Sequence, residues 1–291
     1  MSEAPSAAAP PTPERSLAGC APLLPLLIGV AAMAAVVLVP NLYSDPNGLD
    51  PYSLRTSGVA LGLLAVAVAV PGLQRARLIL VSLVAITLSW SAFLGAPQLL
   101  ADVGVAQSGD QANLNASVAW FLVTAVIICL LWVVVRQELP HLRLLHLGWP
   151  AIAWALGGTA LFLVVFLLIP APLLGREGLA IPALARDAPW LVPANMLQGA
   201  AQELQFRGLL LGSLEKLSSP LVANITQAVI FGLAHLAIVY QGPVAPFVPL
   251  TMILGFVLGW VTQRCDSIWP AAVVHGVADV VVTLGVIPGL Y

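Results

Sequence analysis

The sequence predicts an all-α, polytopic membrane protein with about nine transmembrane helices. Hydrophobic residues make up 60% of the 291 residues and charged residues only 8%, whereas soluble domains are about one quarter charged. So few charged side chains cannot cover a surface that faces water. The net charge of −2 also gives no basic surface for nucleic acid. We therefore expect contact with membrane lipid and none with nucleic acid.

Nine apolar runs have roughly the length of a spanning helix, which needs ~20 mostly apolar residues. Proline stands at many of their ends, as at Pro40, Pro170 and Pro220. The runs cover residues 21–39, 59–73, 78–94, 116–135, 151–169, 194–217, 221–240, 247–262 and 269–290. The preceding residues 1–19 are rich in Ala, Pro and Ser, a composition typical of a disordered tail.

The positive charges are distributed unevenly between the predicted loops. With the N-terminus inside, the outer loops hold Arg55, Arg176 and Arg186. The inner loops hold Arg15, Arg75, Arg77, Arg136, Arg143, Lys216 and Arg264. This asymmetry follows the positive-inside rule and predicts a multi-pass protein of the cell membrane with a cytoplasmic N-terminus. His141 and His146 fall in one of the basic inner loops, and we interpret them as part of a solvated loop.

The ionisable residues inside the predicted spans are concentrated after residue 190. The chain therefore divides into a scaffold half and a half that carries the chemistry. We predict four regions: a disordered tail at 1–19, an N-terminal four-helix membrane region at 20–148, the fifth helix with its outer loop at 149–187, and a core at 188–285.

Apart from Glu215 and Lys216 at the loop end of one run, five ionisable side chains lie within these later spans: Glu203, Arg207, His235, His275 and Asp279. A charged group inside a bilayer costs a few kcal/mol and usually faces a partner or a cavity. Glu203 and Arg207 are four residues apart, as are His275 and Asp279, so each pair shares one face of its helix. Taken singly, the residues fit a structural ion pair, an interhelical hydrogen-bonding group and an oriented imidazole. Together, two histidines and two acids on separate helices are the components of a hydrolytic site.

Two stripes of polar residues accompany these groups on consecutive helices. In lipid a polar stripe must turn toward protein or water, so we expect the two stripes to face each other across a cleft. Their members recur at intervals of three and four, as Asn195, Gln198, Gln202 and Gln205 on the sixth predicted helix and Asn224, Gln227, Phe231 and His235 on the seventh. Gly255 and Gly259 form a GxxxG pattern on the eighth, which indicates close helix packing.

Three short motifs in this part of the chain resemble those of a known family. The chain has QELQFR at residues 202–207, Phe231 to His235 within FGLAH, and His275 to Asp279. This order resembles the CPBP family, the CAAX-protease and bacteriocin-processing (Abi) intramembrane endopeptidases. The family's motifs are EExxxR, FxxxH and Hxxx followed by Asn or Asp, on separate membrane helices. The resemblance covers the C-terminal part of the chain and implies a helical core of the CPBP type at 188–285.

The resemblance implies a role for each motif. In the family, the first acid of EExxxR activates water with help from the histidine of the second motif, and the third motif stabilises the oxyanion. Glu203 and Arg207 would brace the site. A metal-dependent version would use His235, His275 and Asp279 as ligands of a divalent metal such as zinc, with one position open. The expected substrate is a membrane-proximal peptide or protein.

Gln202 occupies the position of the water-activating acid. A carboxamide can orient a water but cannot take its proton near neutral pH, and general-base catalysis contributes ~10²–10⁴ in rate. Glu203 is adjacent but points about a hundred degrees around the helix, and we expect Arg207 to engage it. His235 is the better substitute, as an imidazole base that Gln202 orients.

Three functions are open at this point. The first is an intramembrane endopeptidase, in which the motif residues share a water-filled cavity. The second is a catalytically inactive CPBP-like scaffold or chaperone with the same cavity and no turnover, which Gln202 favours. The third is a proton-coupled transporter that uses the same residues as a relay, although no repeat relates the two halves. One difficulty concerns depth: His275 near the inner end of its span and His235 near the outer end of its own would lie several ångströms apart.

Overall fold

The computed structural model describes residues 54–71, 76–134, 140–168, 189–235 and 244–286, and the regular structure of these residues is helical throughout. The predicted tail and the first predicted span, at 1–19 and 21–39, lie outside them. The described residues form eight helices: α1 (Leu54–Ala69), α2 (Arg77–Asp102), α3 (Gly109–Val134), α4 (Trp149–Leu168), α5 (Leu191–Glu203, continued by a π-helical segment at Leu204–Leu210 and an α-helical end at Leu211–Glu215), α6 (Pro220–Ala234), α7 (Val244–Cys265) and α8 (Trp269–Val286).

Four of these helices are long and apolar enough to cross a membrane: α2, α3, the Trp149–Phe166 part of α4 and the Val248–Cys265 part of α7. The described parts of α1, α6 and α8 are apolar but shorter. The all-α class is thereby confirmed, and the four long helices indicate a multi-pass membrane protein. The count of about nine spans stays a prediction, because the first run lies outside the described residues.

Two helices are longer than the apolar runs that predicted them. α2 continues past its run and through Pro97, and α3 begins at Gly109, before its run starts. Polar side chains support both extensions: Gln98 Nε2 donates to Asp102 Oδ1 at 2.7 Å, and Gln107 Nε2 donates to the carbonyl oxygen of Pro97 at 2.7 Å. Hydropathy underestimates such helices because a hydrogen-bonded helical backbone does not stop where the side chains become polar.

α5 is the central helix of the described fold. It packs against α8 on one side and against α3 on another, and its π-helical segment contacts α2. The hydrophobic core beside it joins Ile79 and Leu83 of α2, Phe206 and Leu210 of the π-helical segment, and Phe231 of α6. α5 therefore holds the C-terminal helices against the N-terminal ones.

Two glycines bring α5 and α8 into backbone contact. A β-carbon on Gly199 would lie 2.5 Å from the backbone nitrogen of Gly276, and one on Gly276 would lie 2.7 Å from Met196 Sδ. Small residues let helix backbones approach this closely. The contact lies one turn before Glu203 and directly beside His275 in sequence, so it sets the distance between those two side chains.

α6 begins with a well-formed N-terminus. The hydroxyl of Ser219 accepts a hydrogen bond from the backbone N–H of Val222 at 3.4 Å, and Pro220 takes the first helical position. The helix then pairs with α7 along its length. Its far end carries Phe231 and His235, four residues apart.

Three segments that the charge pattern predicts to be cytoplasmic meet at one end of the bundle. Arg143, in the loop between α3 and α4, lies 2.6 Å from Glu215 at the end of α5 and 3.2 Å from Asp266 in the turn between α7 and α8. The indole Nε1 of Trp269 donates to the carbonyl oxygen of Leu144 at 2.8 Å. The loop therefore connects the end of α5 to the beginning of α8.

Candidate active site

Glu203 lies at the centre of a buried chain of hydrogen bonds. Its Oε1 accepts from Arg207 Nη1 at 2.7 Å and from His275 Nδ1 at 2.6 Å, and all three residues are buried. The chain continues to Asp279, whose Oδ1 lies 3.5 Å from His275 Nε2. One carboxylate oxygen thus joins the first predicted motif to the third.

Arg207 has partners on several sides of its guanidinium. Besides its bond to Glu203, its Nη2 donates to the carbonyl oxygen of Gly255 at 3.1 Å, and its planar head lies over the ring of Phe231 at 4.5 Å from the centroid. Gly255 lets α7 approach the Phe231 ring because it has no side chain: a β-carbon there would lie 3.0 Å from that ring. A buried cation needs such partners, since an unpaired buried charge is strongly destabilising.

Phe231 brings the imidazoles of His235 and His275 to one place. Its ring centroid lies 4.6 Å from that of His235 and 5.3 Å from that of His275, both in edge-on contacts. The predicted difference in depth therefore does not keep the two imidazoles apart, because both contact one aromatic ring. His235 directly follows Ala234, the last residue of α6.

His235 presents one ring nitrogen in a form that accepts protons. Its Nδ1 lies 2.7 Å from the carbonyl oxygen of Phe231. A carbonyl oxygen accepts only, so Nδ1 carries the hydrogen and, in the neutral ring, Nε2 carries a lone pair. The residue is partly exposed. Its geometry is that of a base that water can reach.

Gln202 stands apart from the chain of bonds around Glu203. Gln202 is partly exposed, whereas Glu203 is buried, and the chain runs through Arg207, His275 and Asp279. The α-helical part of α5 ends at Glu203, and the seven residues that follow are π-helical. Such wider turns occur frequently at functional sites, and this one carries Arg207.

Several buried polar atoms around this chain have no hydrogen-bond partner among the described residues: Glu203 Oε2, Arg207 Nε, Gln227 Oε1 and Asp279 Oδ2. Buried polar groups in folded proteins nearly always bond to protein, water or a ligand. The four unsatisfied atoms beside Glu203, Arg207 and Asp279 are therefore suited to hold water. A hydrolytic site must hold water.

The two polar stripes do not face each other, so that prediction is wrong. Gln198 Nε2 donates to Ser117 Oγ at 2.9 Å, and Gln205 Nε2 donates to the hydroxyls of Ser89 and Thr124, each at 2.6 Å. These partners belong to α2 and α3, which are helices of the predicted scaffold half. The amides of α5 thus connect the site helix to the N-terminal helices.

The second stripe also turns elsewhere. Asn224 Nδ2 donates to the carbonyl oxygen of Phe256 at 3.0 Å, and Gln227 Nε2 donates to that of Gly255 at 2.9 Å. A β-carbon on Gly259 would collide with both of these amides. The stripe therefore fastens α6 to the GxxxG face of α7, because a packed interface satisfies amides as well as a hydrated cleft does.

The metal set predicted from the resemblance does not converge. Zinc ligands lie about 2.0–2.2 Å from the ion and hence about 4 Å or less from one another. His235, His275 and Asp279 do not form such a group, and Nδ1 of His275 is already bonded to Glu203. Within the described part of the chain, the group of three whose ligand atoms lie within 4.8 Å of one another is His141, His146 and Asp266.

Sequence reasoning missed two glycines that shape the site, Gly199 and Gly276, which let α5 meet α8. It identified Gly255 as a packing residue but not the contact between its carbonyl oxygen and Arg207. A usable signal was present: Gly199 lies four residues before Glu203, and Gly276 follows His275 directly. Glycines at these spacings place a gap in the helix surface beside each polar group.

The comparisons with known proteins bear on the same residues. Residues 184–281 match the family model of the type II CAAX prenyl endopeptidase Rce1-like proteins. No curated protein and no solved structure matches the chain. The matched range overlaps most of the core predicted at 188–285, and it contains all residues of the site: Glu203, Arg207, Phe231, His235, His275 and Asp279. Residues 184–281 of this chain are therefore an Rce1-like, CPBP-type CAAX prenyl endopeptidase domain.

Proposed function

We propose that this protein is an intramembrane endopeptidase that hydrolyses a peptide bond within or beside the membrane. The observation that carries the proposal is the hydrogen bond from His275 Nδ1 to Glu203 Oε1, at 2.6 Å. It joins residues of the first and third family motifs beside the Phe231 ring of the second. This arrangement is what a shared hydrolytic site requires, and a set of unrelated structural polar groups would not need it.

The proposed reaction uses His235 as the general base. His235 Nε2 takes a proton from water as the water oxygen attacks the carbonyl carbon of the substrate. The carbonyl oxygen becomes an oxyanion, which His275 Nε2–H stabilises, since its 3.5 Å separation from Asp279 is too long for a strong hydrogen bond. The C–N bond then breaks, and the proton on His235 passes to the leaving amine nitrogen. Gln202 orients the water through its amide.

Glu203, Arg207 and Asp279 act as positioning residues in this proposal. Glu203 holds His275 from the Nδ1 side and Asp279 lies on the Nε2 side, so the imidazole cannot rotate freely. Arg207 in turn holds the carboxylate of Glu203. Orientation of this kind contributes to rate because the reacting atoms must lie close and aligned.

The proposal also includes the finer organisation of the chain. We propose about nine spans, a cytoplasmic N-terminus, and a division into the regions 1–19, 20–148, 149–187 and 188–285. The meeting of three predicted cytoplasmic segments at one end of the bundle supports this topology. It puts loop 140–148 and the turn after α7 on the cytoplasmic side.

Cleavage by the full-length protein in proteoliposomes tests the reaction. The probe is a fluorescence-quenched peptide that ends in a farnesylated CAAX sequence, the class named by the matched family, with the unprenylated peptide beside it and products identified by mass spectrometry. His235→Asn keeps a donor at the Nδ1 position for Phe231 but removes Nε2. It should lower the cleavage rate by ~10²–10⁴. Unchanged cleavage in a folded His235→Asn protein would exclude the proposed base.

A second candidate function is a membrane scaffold or chaperone without turnover, which Gln202 favours because the family places an acid there. Gln202→Glu separates the two. If a missing base limits an enzyme, this variant cleaves faster than wild type, while the exposed Gln111→Glu does not change the rate. A wild-type protein that cleaves neither probe, together with an inactive Gln202→Glu variant, would support the scaffold.

A further inference from the structure

The loop between α3 and α4 and the turn between α7 and α8 form a cluster of ligand-bearing side chains away from the active site. His141 Nε2 lies 3.1 Å from Asp266 Oδ2, and His146 Nδ1 lies 3.3 Å from the same oxygen. Ligand atoms of all three residues lie within 4.8 Å of one another. The two imidazole centroids are 6.5 Å apart. Both rings therefore converge on one carboxylate oxygen.

The third residue of this cluster, Asp266, is held in place by a partly buried neighbour. Arg143 Nε donates to Asp266 Oδ1 at 3.2 Å, and the other end of the guanidinium lies 2.6 Å from Glu215. Arg143 thus occupies one oxygen of the carboxylate and leaves Oδ2 to the imidazoles. Metal-binding carboxylates are commonly oriented by a hydrogen bond of this type.

The backbone adopts an uncommon conformation in both segments that form the cluster. Among the described residues, the non-glycine residues with positive φ are Arg143 (56°) and Asp266 (48°). The backbone N–H of Ile268 donates to the carbonyl oxygen of Arg143 at 3.1 Å, so the two strained positions are linked. Left-handed backbone in such residues persists only where the surroundings hold it, and it clusters at functional positions. The pKa of Asp266 is lowered overall. Burial alone would raise it, but the hydrogen bond from His141 and the positive charges of the basic side chains nearby outweigh that effect.

We propose that His141, His146 and Asp266 bind a divalent transition-metal ion of the zinc class on the cytoplasmic face. Imidazole nitrogens and a carboxylate oxygen are the ligands such ions prefer. In a tetrahedral site with metal–ligand distances of about 2.1 Å, neighbouring ligand atoms are about 3.4 Å apart. The separations of 3.1 and 3.3 Å fit that edge, so small ring rotations suffice for binding. A fourth position stays open to water.

The site is distinct from the active site and does not depend on the proposed reaction. It joins a loop of the N-terminal region to the turn from which α8 begins, and α8 carries His275. A bound ion would therefore stabilise the contact between these two segments. The sequence alone suggested a solvated loop at His141 and His146. Both are exposed, but Asp266 lies more than a hundred positions away in sequence and could not be connected to them.

Metal binding to the full-length protein in detergent, purified without a polyhistidine tag, tests the proposal. Zn²⁺ binding is followed by calorimetry, and Co²⁺ is used as a spectroscopic probe through its ligand-field absorption. We expect one ion per wild-type chain, no ion in His141→Ala/His146→Ala, and retained binding in His235→Asn. Zn²⁺ should raise the thermal unfolding midpoint of the wild type and leave that of the double variant unchanged.

Three results would overturn the site. These are no binding to wild type at micromolar Zn²⁺, equal binding by the double variant, or loss of the ion in His235→Asn, which would move the metal to the membrane histidines. Asp266→Asn gives a second variant if the double one does not fold. Asparagine tolerates the left-handed backbone, so this variant should keep the fold and bind Zn²⁺ at least tenfold more weakly. Unchanged affinity would also refute the proposal.

Discussion

The contact between Gly199 and Gly276 offers a direct test of how the hydrogen bond between Glu203 and His275 is held in place. A β-carbon on Gly199 would lie 2.5 Å from the backbone nitrogen and 2.8 Å from the α-carbon of Gly276. Non-bonded heavy atoms rest at about 3.5–4.0 Å, so Gly199→Ala must push α5 and α8 apart by about 1 Å at this point. Both atoms it meets are backbone atoms, which cannot move without moving α8.

The displacement acts within one helical turn on the hydrogen bond between Glu203 and His275, which is part of the proposed active site. His275 Nδ1 lies 2.6 Å from Glu203 Oε1, and a shift of about 1 Å takes the pair beyond the ~3.2 Å limit of an N–H···O hydrogen bond. Overpacking costs about 1–3 kcal/mol, against which alanine regains about 0.5–1 kcal/mol of helix stability. A misplacement of this size lowers rates by up to ~10²-fold. We therefore expect Gly199→Ala to fold, with a lower unfolding midpoint and cleavage reduced by about two orders of magnitude.

Thermal unfolding in detergent and cleavage in proteoliposomes measure the two effects. Gly157→Ala is the matched control, since a β-carbon on Gly157 in α4 meets nothing within 4 Å. It should keep wild-type cleavage and unfold at the same temperature or slightly above. Wild-type stability in Gly199→Ala would refute the backbone contact itself. A destabilised variant with full cleavage would instead show that the bond between Glu203 and His275 is not required for the reaction.

Three further predictions concern charged and polar contacts, one in the candidate active site and two where loop 140–148 meets the turn between α7 and α8. Arg207→Met should lower the free energy of unfolding by about 3–5 kcal/mol, because Glu203 loses its buried cation; a thermal midpoint within one degree of wild type would contradict this. Trp269→Phe should lower the free energy of unfolding by about 1 kcal/mol, because it loses the hydrogen bond to the Leu144 carbonyl oxygen. An unchanged free energy of unfolding would show that this bond does not stabilise the protein. The lowered pKa of Asp266 means that its ionised form contributes stability above the ordinary carboxyl pKa and loses it as pH falls through the lowered value. The free energy of unfolding of the wild type should therefore decrease below about pH 4 more than that of Asp266→Asn. Parallel pH dependences of the two proteins would refute a stabilising role of the ionised Asp266.

Much of this protein followed from hydropathy and spacing. The helical class, the pairing of Glu203 with Arg207 four residues on, and the tight packing of the GxxxG helix are all local properties of the sequence. Local patterns carry them because a helix fixes which residues share a face. The family motifs then indicated that separate helices contribute to one site.

The remaining features are long-range and could not be read in this way. The π-helical segment at Leu204–Leu210 changes which neighbours Arg207 reaches, and nothing in the local pattern indicates it. The direction of the α5 amides was also misassigned: Gln205 points to Ser89 and Thr124, because hydroxyl groups on packed helices are as good partners as water. Periodicity shows that a stripe exists but does not show which helix covers it.

The partners of Glu203 bear on what Gln202 does. Oε1 of Glu203 already accepts from Arg207 and His275, so in the proposed reaction this acid holds other groups, and Oε2 is the oxygen left to bind water. The site contains two acids, Glu203 and Asp279, and one permanent cation, Arg207. A protonated His275 would supply the second positive charge. A second carboxylate at position 202 would add a negative charge without a new cation beside it, and like charges at close range oppose ionisation. With an amide at position 202 the cluster keeps this balance, and in the proposed reaction proton transfer then falls to His235, whose Nδ1 bonds to the carbonyl oxygen of Phe231 and leaves Nε2 available.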